Sequence, residues 1–295
     1  MYIYLNGQVV HQEEAKISPY DHGYIYGLGL FETFRIYDGH PFLLDDHLAR
    51  LREGLSALSI NFKPVRKDVV EIITKLLHVN DIKNAYIRFN VSAGVGDIGL
   101  QTGLYVKPTV IVFIKPLPSA VEADYEKKGV ILKQVRNTPE GNFRLKSHHF
   151  LNNILGKREI GSDPTTEGIF LTKEGYVAEG VTSNLFWIKG NELFTPALET
   201  GILNGITRQF VIKIARSLGI EVHIGCYKVE ELLSCDEAFV TNSIQEIVPL
   251  REINNVLLHG KNGVIIRKLQ EIYALYRKTL WSRNAFEGRS GLDEI

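Results

Sequence analysis

Apolar and polar positions alternate around two residue pairs that favour tight turns. The first pair, Asn6-Gly7, interrupts an alternating stretch at the start of the chain, and the second, Asp38-Gly39, follows the alternating residues 34–37. Asparagine or aspartate followed by glycine accepts the positive φ angles that a two-residue hairpin requires. The pattern therefore predicts two β-hairpins near the N-terminus.

Helical periodicity follows the hairpins. A first helix carries leucines on one face and is capped by Asp45 or Asp46, and a second helix begins after Pro64. The apolar positions of the two faces are Leu48, Leu51, Leu55, Leu58, Val69, Ile72, Ile73, Leu76 and Leu77. Residues 85–93 and 109–114 are then predicted to be strands, and the second is apolar enough to be buried on both faces.

A stretch with two prolines and several charges, residues 115–128, is typical of an interdomain linker. It divides the chain into a small N-terminal α/β domain, 1–118, and a larger domain, 119–281, followed by a polar, flexible tail, 282–295. The larger domain is predicted to hold a mixed, barrel-like sheet. Its predicted elements are a strand at 130–135, helices at 147–160, 205–218 and 263–277, and several short strands.

The composition narrows the class of protein. The chain has 295 residues, 44% apolar and 23% charged, as expected for a folded protein of about two domains. Its 34 basic residues equal its 34 acidic residues, which argues against nucleic acid as a partner. The chain has two cysteines and no Cys-x-x-Cys pair, which predicts a reducing compartment. The sequence has no basic leader and no long apolar run, which predicts a cytoplasmic protein without a membrane partner.

Common catalytic motifs are missing from the sequence. There is no Walker-type loop, His-Glu-x-x-His or Gly-x-Ser-x-Gly. Gly27-x-Gly29 precedes a strand-like segment rather than a helix, so a turn is favoured over a dinucleotide site. His148-His149 has no carboxylate at helical spacing, and no metal site is predicted.

Asn204-Gly205-Ile206-Thr207 has the form of a helix start that could bind an anion. Asn204 would be the N-cap, and the N–H groups of Ile206 and Thr207 would point outward with the threonine hydroxyl. An ordinary helix start fits the same residues.

Four segments, in this order and with these gaps, resemble the class IV aminotransferase family, the fold-type IV enzymes that use pyridoxal 5′-phosphate (PLP). They are His47-x-x-Arg50-Leu51, Leu145-Lys146-Ser147, Glu179-Gly180-x-x-Ser183-Asn184-Leu185-Phe186 and Asn204-Gly205-Ile206-Thr207-Arg208. The resemblance implies an α/β (α+β) fold with a small N-terminal domain and a larger C-terminal pseudo-barrel domain, with PLP in the cleft between them. It also implies a homodimer whose partner lends N-terminal loop residues to the site.

The resemblance implies a role for each matching residue. Lys146 is the lysine that attaches to the cofactor aldehyde, and Glu179 is the carboxylate that pairs with the pyridine nitrogen. The residues implied for the phosphate are Arg50, Gly205, Ile206, Thr207 and Ser243. Without the family, Lys146 fits a solvated lysine, Arg50 a surface salt bridge and Glu179 a carboxylate at a strand end.

Within the family, proton removal by Lys146 leads either to transamination or to elimination. Segments 18–23, 31–35 and 137–149 closely resemble the lyases, which convert 4-amino-4-deoxychorismate into 4-aminobenzoate and pyruvate in folate biosynthesis. Thr33 stands where branched-chain transaminases have glycine, and its hydroxyl could hold a substrate carboxylate or a water. Arg88 resembles a substrate-carboxylate arginine, and an ion pair within the sheet is the alternative.

A lyase acting on a small molecule is therefore predicted first, with a functional link to aminodeoxychorismate synthase, which makes that substrate. A branched-chain or D-amino-acid aminotransferase is the second prediction. Val95-Gly96-Asp97-Ile98-Gly99 is similar to a segment of the branched-chain enzymes, whereas the carboxylate trap of D-amino-acid transaminases is missing. A PLP-binding protein without turnover is the alternative from a different class.

Overall fold

The computed structural model describes residues 1–119 and 124–288, which form two compact units. The first unit comprises Met1–Ser119, Leu145–His149 and Arg277–Ala285. The described part of the second comprises 124–144, Phe150–Tyr276 and 286–288. Lys146 thus lies in the first unit, with the N-terminal part of the chain.

The first unit is built on a six-stranded sheet with the order β2-β1-β6-β5-β3-β4, in which every neighbouring pair is antiparallel. Its elements are β1 (Tyr2–Leu5), β2 (Gln8–His11), α1 (His22–Ile25), β3 (Gly29–Tyr37), β4 (His40–Pro41), α2 (Leu44–Ala57), α3 (Arg66–Val79), β5 (Ala85–Ser92) and β6 (Thr109–Pro116).

Both predicted hairpins are confirmed. Asn6-Gly7 joins β1 to β2, and Asp38-Gly39 joins β3 to β4, with positive φ at all four residues. The hydrophobic faces of α2 and α3 pack with buried residues of β3, β5 and β6 in one core. Local turn chemistry and periodicity therefore account for these elements.

The predicted aspartate cap of α2 is wrong. The helix begins at Leu44, after Leu43 in the left-handed region, and no side chain caps it. Asp45 and Asp46 lie in the first turn instead, where they form ion pairs with Arg66 and Arg283, respectively. Two cations distant in sequence thus bind the carboxylates that the local pattern assigns to the cap.

The expectation that β6 is buried on both faces is also wrong. Val110, Val112 and Ile114 are buried, whereas Ile111 is half-buried and Phe113 is 38% exposed. Side chains of a strand alternate between faces, and only one face of β6 contributes to the core.

The second unit is built on a nine-stranded mixed sheet with the order β12-β11-β10-β13-β14-β7-β8-β9, to which β15 adds beside β14. Its elements are β7 (Lys127–Ile131), α4 (Leu151–Ile160), β8 (Thr166–Leu171), β9 (Val177–Gly180), β10 (Asn184–Lys189), β11 (Glu192–Pro196), α5 (Ile206–Ser217), β12 (Glu221–Gly225), α6 (Val229–Leu233), β13 (Glu237–Asn242), β14 (Glu246–Ile253), β15 (Val256–Leu257) and α7 (Val264–Tyr276). The end strand β9 also lies close to β10, so the sheet curls back on itself. The predicted α/β (α+β) class and barrel-like sheet are confirmed.

Two predicted boundaries in this part of the chain are wrong. The strand expected at 130–135 ends at Ile131, and the helix expected from Ser147 begins at Leu151. Ser147 instead forms a β-bridge with Leu30. Backbone bonds on either side of that bridge hold residues 146–148 against β3, because the Phe31 N–H donates to the Lys146 carbonyl at 2.9 Å and the His148 N–H donates to the Gly29 carbonyl at 3.0 Å.

Part of the predicted polar tail packs against the second unit's own helices. Phe286 is buried and its ring contacts the rings of Phe210 and Tyr276. Residues 289–295 of the predicted tail lie outside the described residues. Among the described helices, none has the length and apolar character that a membrane crossing needs.

Candidate active site

One face of the first sheet gathers three of the predicted site residues. Thr33 on β3 lies directly opposite Arg88 on β5, so their side chains share a face, and Phe31 lies on that face two residues earlier. The guanidinium carbon of Arg88 is 3.6 Å from the centroid of the Phe31 ring, and Lys146 Nζ is 4.7 Å from it. An amine and a guanidinium thus approach one aromatic ring beside a hydroxyl.

Arg88 has no ion-pair partner among the described residues, so the alternative of an ion pair within the sheet is not observed. Burial lowers the pKa of Arg88, although a guanidinium remains charged at neutral pH. A charged, half-buried group of this kind is suited to binding a carboxylate.

The glycines of Gly27-x-Gly29 make room for His148 and His149. A Cβ on Gly29 would lie 2.3 Å from His148 Cε1, and a Cβ on Gly27 would lie 2.8 Å from His149 Cδ2. Gly27 also has a φ of 67°, which confirms the turn predicted there. The two glycines therefore allow the segment around Lys146 to lie close against β3.

His148 is neutral at physiological pH. Burial, assisted by the charge of Arg88, lowers the pKa of His148 to about 4. Its Nε2 is buried without a hydrogen-bond partner among the described residues.

The salt-bridge alternative for Arg50 is observed, although it is buried rather than on the surface. On α2, Arg50 Nε and Nη2 donate to the two Glu32 oxygens at 2.8 and 2.7 Å, and His47 Nδ1 lies 2.6 Å from Glu32 Oε2. Burial opposes ionisation of Glu32, but the charge of Arg50 and the hydrogen bonds from His47 and Arg50 outweigh it and lower its pKa to about 2. Glu32 therefore fixes the orientation of the guanidinium.

Sequence reasoning missed Glu32 as a structural partner, although a signal was present. Glu32 is an acidic residue at a position of β3 whose strand neighbours at two residues' distance, Leu30 and Phe34, face the core. A charge at such a position predicts a buried cation close by, since a buried charge is rarely left unpaired.

In the second unit, Glu179 of β9 is buried and bound on both oxygens. Arg136 Nε donates to Oε1 at 2.9 Å, while the Leu203 N–H donates to Oε2 at 3.0 Å and Asn184 Nδ2 to the same oxygen at 3.4 Å. Arg144 adds a second cation 3.8 Å from Oε1. Arg136 carries no local signal for this role, because only folding brings it to a residue distant in sequence.

The N-terminus of α5 carries three of the predicted phosphate residues, Gly205, Ile206 and Thr207, but the N-cap is Gly205 rather than Asn204. A Cβ on residue 205 would lie 2.0 Å from Asn184 Oδ1, so close packing with Asn184 requires glycine here. Ile206 and Thr207 form the first turn, and Thr207 Oγ1 lies 3.3 Å from Ser243 Oγ. First-turn N–H groups and two neighbouring hydroxyls can together bind an anion.

The chain resembles known proteins over most of its length. The family model of amino-transferase class IV matches residues 29–253. Aminodeoxychorismate lyase of Bacillus subtilis (strain 168) is 49% identical over 274 residues, 92% of this chain and 93% of the relative. Branched-chain amino acid aminotransferase of Escherichia coli superposes with a TM-score of 0.84 at 27% identity over 97% of both chains. The branched-chain amino acid aminotransferase of T.th., complexed with N-(5′-phosphopyridoxyl)-L-glutamate, does so with a TM-score of 0.83 at 28% identity over 94% of both. The chain belongs to the class IV aminotransferase family, as the order of its motifs predicts.

Proposed function

We propose that this protein is a PLP-dependent aminodeoxychorismate lyase, which converts 4-amino-4-deoxychorismate into 4-aminobenzoate and pyruvate in folate biosynthesis. The observation that carries the proposal is the 49% identity to the Bacillus subtilis aminodeoxychorismate lyase over 92% of this chain. The amine of Lys146 and the guanidinium of Arg88 beside one ring support it, since this substrate offers carboxylates to bind and a proton to remove.

Each residue proposed for PLP has the chemistry that one group of the cofactor requires. Its aldehyde requires a primary amine, for which Lys146 is proposed, and its pyridine nitrogen requires a buried carboxylate, for which Glu179 is proposed. Its phosphate requires N–H donors, hydroxyls and a cation. The residues proposed for the phosphate are Gly205, Ile206 and Thr207 with Ser243, and Arg50 as the cation.

PLP, when bound, supplies an electron sink for the substrate carbon that bears the nitrogen. Lys146 Nζ removes the proton from that carbon, and the carbon–oxygen bond to the enolpyruvyl group breaks as the ring becomes aromatic. The leaving oxygen takes up a proton, so the reaction needs no oxidant or reductant. Arg136 donates a hydrogen bond to one oxygen of the Glu179 carboxylate. The Leu203 N–H and Asn184 Nδ2 donate to the other oxygen, so the orientation of the carboxylate is fixed.

Arg88 and Thr33 are proposed to bind the substrate. Arg88 would hold one of the two carboxylates, because it is charged and lacks an acidic partner among the described residues. Thr33, directly opposite Arg88 on the neighbouring strand, would donate a hydrogen bond from its hydroxyl to the same carboxylate or to a water. Together they would orient the substrate so that the proton to be removed faces Lys146.

We also propose that the protein is a homodimer, with the first unit supplying the interface. The segments 17–26 and 94–106 contact each other through the Gly96 N–H and the Tyr20 carbonyl, and they expose large apolar side chains. Ile98 is 76% exposed and Leu100 is 89% exposed. By light scattering after gel filtration, we expect a dimer for the wild type and a monomer for Leu100→Asp, whereas Leu275→Asp, exposed in the second unit, serves as the control.

The proposed compartment is the cytoplasm, where aminodeoxychorismate synthase would supply the substrate. Both cysteines, Cys226 and Cys235, are free, which suits a reducing compartment. Coupled turnover with the purified synthase would test the link, because it requires that the product of one enzyme reach the other.

The lyase assay follows 4-aminobenzoate and pyruvate after the PLP-loaded protein meets enzymatically generated 4-amino-4-deoxychorismate. Equimolar products, absent with Lys146→Ala, are the expected result. A branched-chain or D-amino acid with 2-oxoglutarate is assayed in parallel, because solved relatives are branched-chain aminotransferases. Turnover only in the parallel assay would replace the lyase by an aminotransferase, and no turnover in either would leave a PLP-binding protein.

A further inference from the structure

A buried ion pair in the second unit lies outside the residues assigned above. Lys127 Nζ on β7 is 2.7 Å from Glu167 Oε2 on β8, and the two side chains are 6% and 5% exposed. Removing two charges from water costs about as much as their attraction returns, so apolar residues of similar size would stabilise the fold as well. Stability alone therefore does not explain the pair, and the residues that it contacts indicate its role.

Glu167, the acidic member of the pair, contacts the turn that follows Glu179. The Ser183 hydroxyl donates to Glu167 Oε1 at 2.9 Å, and the Gly180 N–H donates to the Ser183 carbonyl at 2.8 Å. A Cβ on Gly180 would lie 2.1 Å from Ser183 Oγ and 2.6 Å from Glu167 Oε1. The Glu167 carboxylate is thus packed directly against the residue next to Glu179.

Lys127, the basic member of the pair, contacts the turn that contains Ser243. Lys127 Nζ donates to Gln245 Oε1 at 3.1 Å, and Asn242 Nδ2 donates to the same oxygen at 3.2 Å. Asn242 Oδ1 accepts the N–H groups of Ile244 at 3.0 Å and Gln245 at 2.8 Å. These bonds enclose Ser243 in a closed turn whose far side is tied to Lys127.

We propose that the Lys127–Glu167 pair is a positioning element that holds the Glu179 turn and the Ser243 turn at a fixed separation for cofactor binding. Lys127 acts through Gln245 on Ser243, and Glu167 acts through Ser183 on Glu179. The inference rests on the proposed function, because it presupposes that Ser243 binds the PLP phosphate.

The test compares the dissociation constants of PLP and of pyridoxal, which lacks the phosphate, measured by absorbance on the apoprotein. Lys127→Met combined with Glu167→Gln removes both charges and leaves an acceptor for Ser183. We expect PLP binding to weaken about tenfold and pyridoxal binding to change less than about threefold, since one charge-assisted contact to the Ser243 turn is lost.

A further variant leaves the buried charges in place. Gln245→Met removes the acceptor of Lys127 and should weaken PLP binding in the same phosphate-dependent way. Glu237→Gln is the matched control, because Glu237 is a buried carboxylate that accepts the N–H groups of Ile265 and Ile266 and has no bond to this network.

The outcomes separate the inference from the proposed function. Wild-type protein that binds no PLP would refute the proposed function and the inference with it. Wild-type protein that binds PLP, with an unchanged PLP-to-pyridoxal ratio in Gln245→Met and in the paired variant, would overturn the inference alone. An equal change of that ratio in Glu237→Gln would also overturn it, because general destabilisation would then explain the effect.

Discussion

Replacing Glu32 by glutamine measures what its buried pair with Arg50 contributes to stability. Folding lowers the pKa of Glu32 from 4.5 to about 2, and each pKa unit corresponds to about 1.4 kcal/mol. Ionised Glu32 therefore contributes about 3 kcal/mol to the free energy of unfolding at neutral pH. Because the folded pKa lies below the unfolded value, this contribution is complete well above pH 4.5 and is lost as the pH falls toward 2, about 2 kcal/mol of it by about pH 3.

Urea unfolding of the wild type and Glu32→Gln, from neutral pH to about pH 3, tests this dependence. Trp281 lies in the same unit as Glu32, so its fluorescence in a Trp187→Phe background reports on the relevant unit. Glu71→Gln is the control, because Glu71 forms an ion pair with Lys75 at 2.7 Å on the exposed surface. Solvent screens such a pair, and we expect a far smaller effect of that substitution.

Two results would refute the reasoning. The first is a difference between wild type and Glu32→Gln that stays constant from neutral pH to about pH 3. The second is a loss in Glu71→Gln as large as that in Glu32→Gln. Burial lowers the pKa of His47 and Glu32 partly offsets this, so the pKa of His47 is lower still in Glu32→Gln. The variant is then the more acid-sensitive protein where histidine titrates, which opposes the convergence expected from Glu32 and cannot imitate it.

Three further outcomes are expected. Arg88→Met should raise the KM of the lyase reaction about tenfold or more with a smaller effect on kcat, because it removes a proposed carboxylate contact, and Arg88→Lys should retain part of the affinity; an unchanged KM would remove Arg88 from substrate binding. Glu179→Gln should retain PLP in absorbance spectra yet lower kcat by about two orders of magnitude, since a neutral partner supports the electron sink less well; wild-type kcat would contradict its role. Gly29→Ala should lower the melting temperature because its Cβ meets the His148 ring and lies 2.8 Å from the Val91 carbonyl oxygen. Gly103→Ala, with no atom within 4 Å, should leave the melting temperature unchanged, and equal values for the two variants would contradict the close packing at Gly29.

The elements that local signals determine were predictable from the sequence. Positive φ angles at Asn6-Gly7 and Asp38-Gly39 follow from residue types that tolerate them. Helices α5 and α7 lie within one or two residues of their predicted ends because their apolar residues repeat at helical spacing. The mixed sheet was predictable from the order of the elements along the chain, and the family was predictable from the order and spacing of the motifs.

The tertiary structure alone decided which polar groups meet. Ser147 leaves the predicted helix because it pairs with Leu30, and Gly29 is needed because the His148 ring lies against it. Arg136 reaches Glu179 through a contact that no spacing indicates. The spacing of apolar residues shows which face of a helix or strand is buried, because that face is set by residues a few positions apart in the sequence. Buried charges are satisfied by partners distant in sequence, and their choice depends on the packing of whole strands and helices.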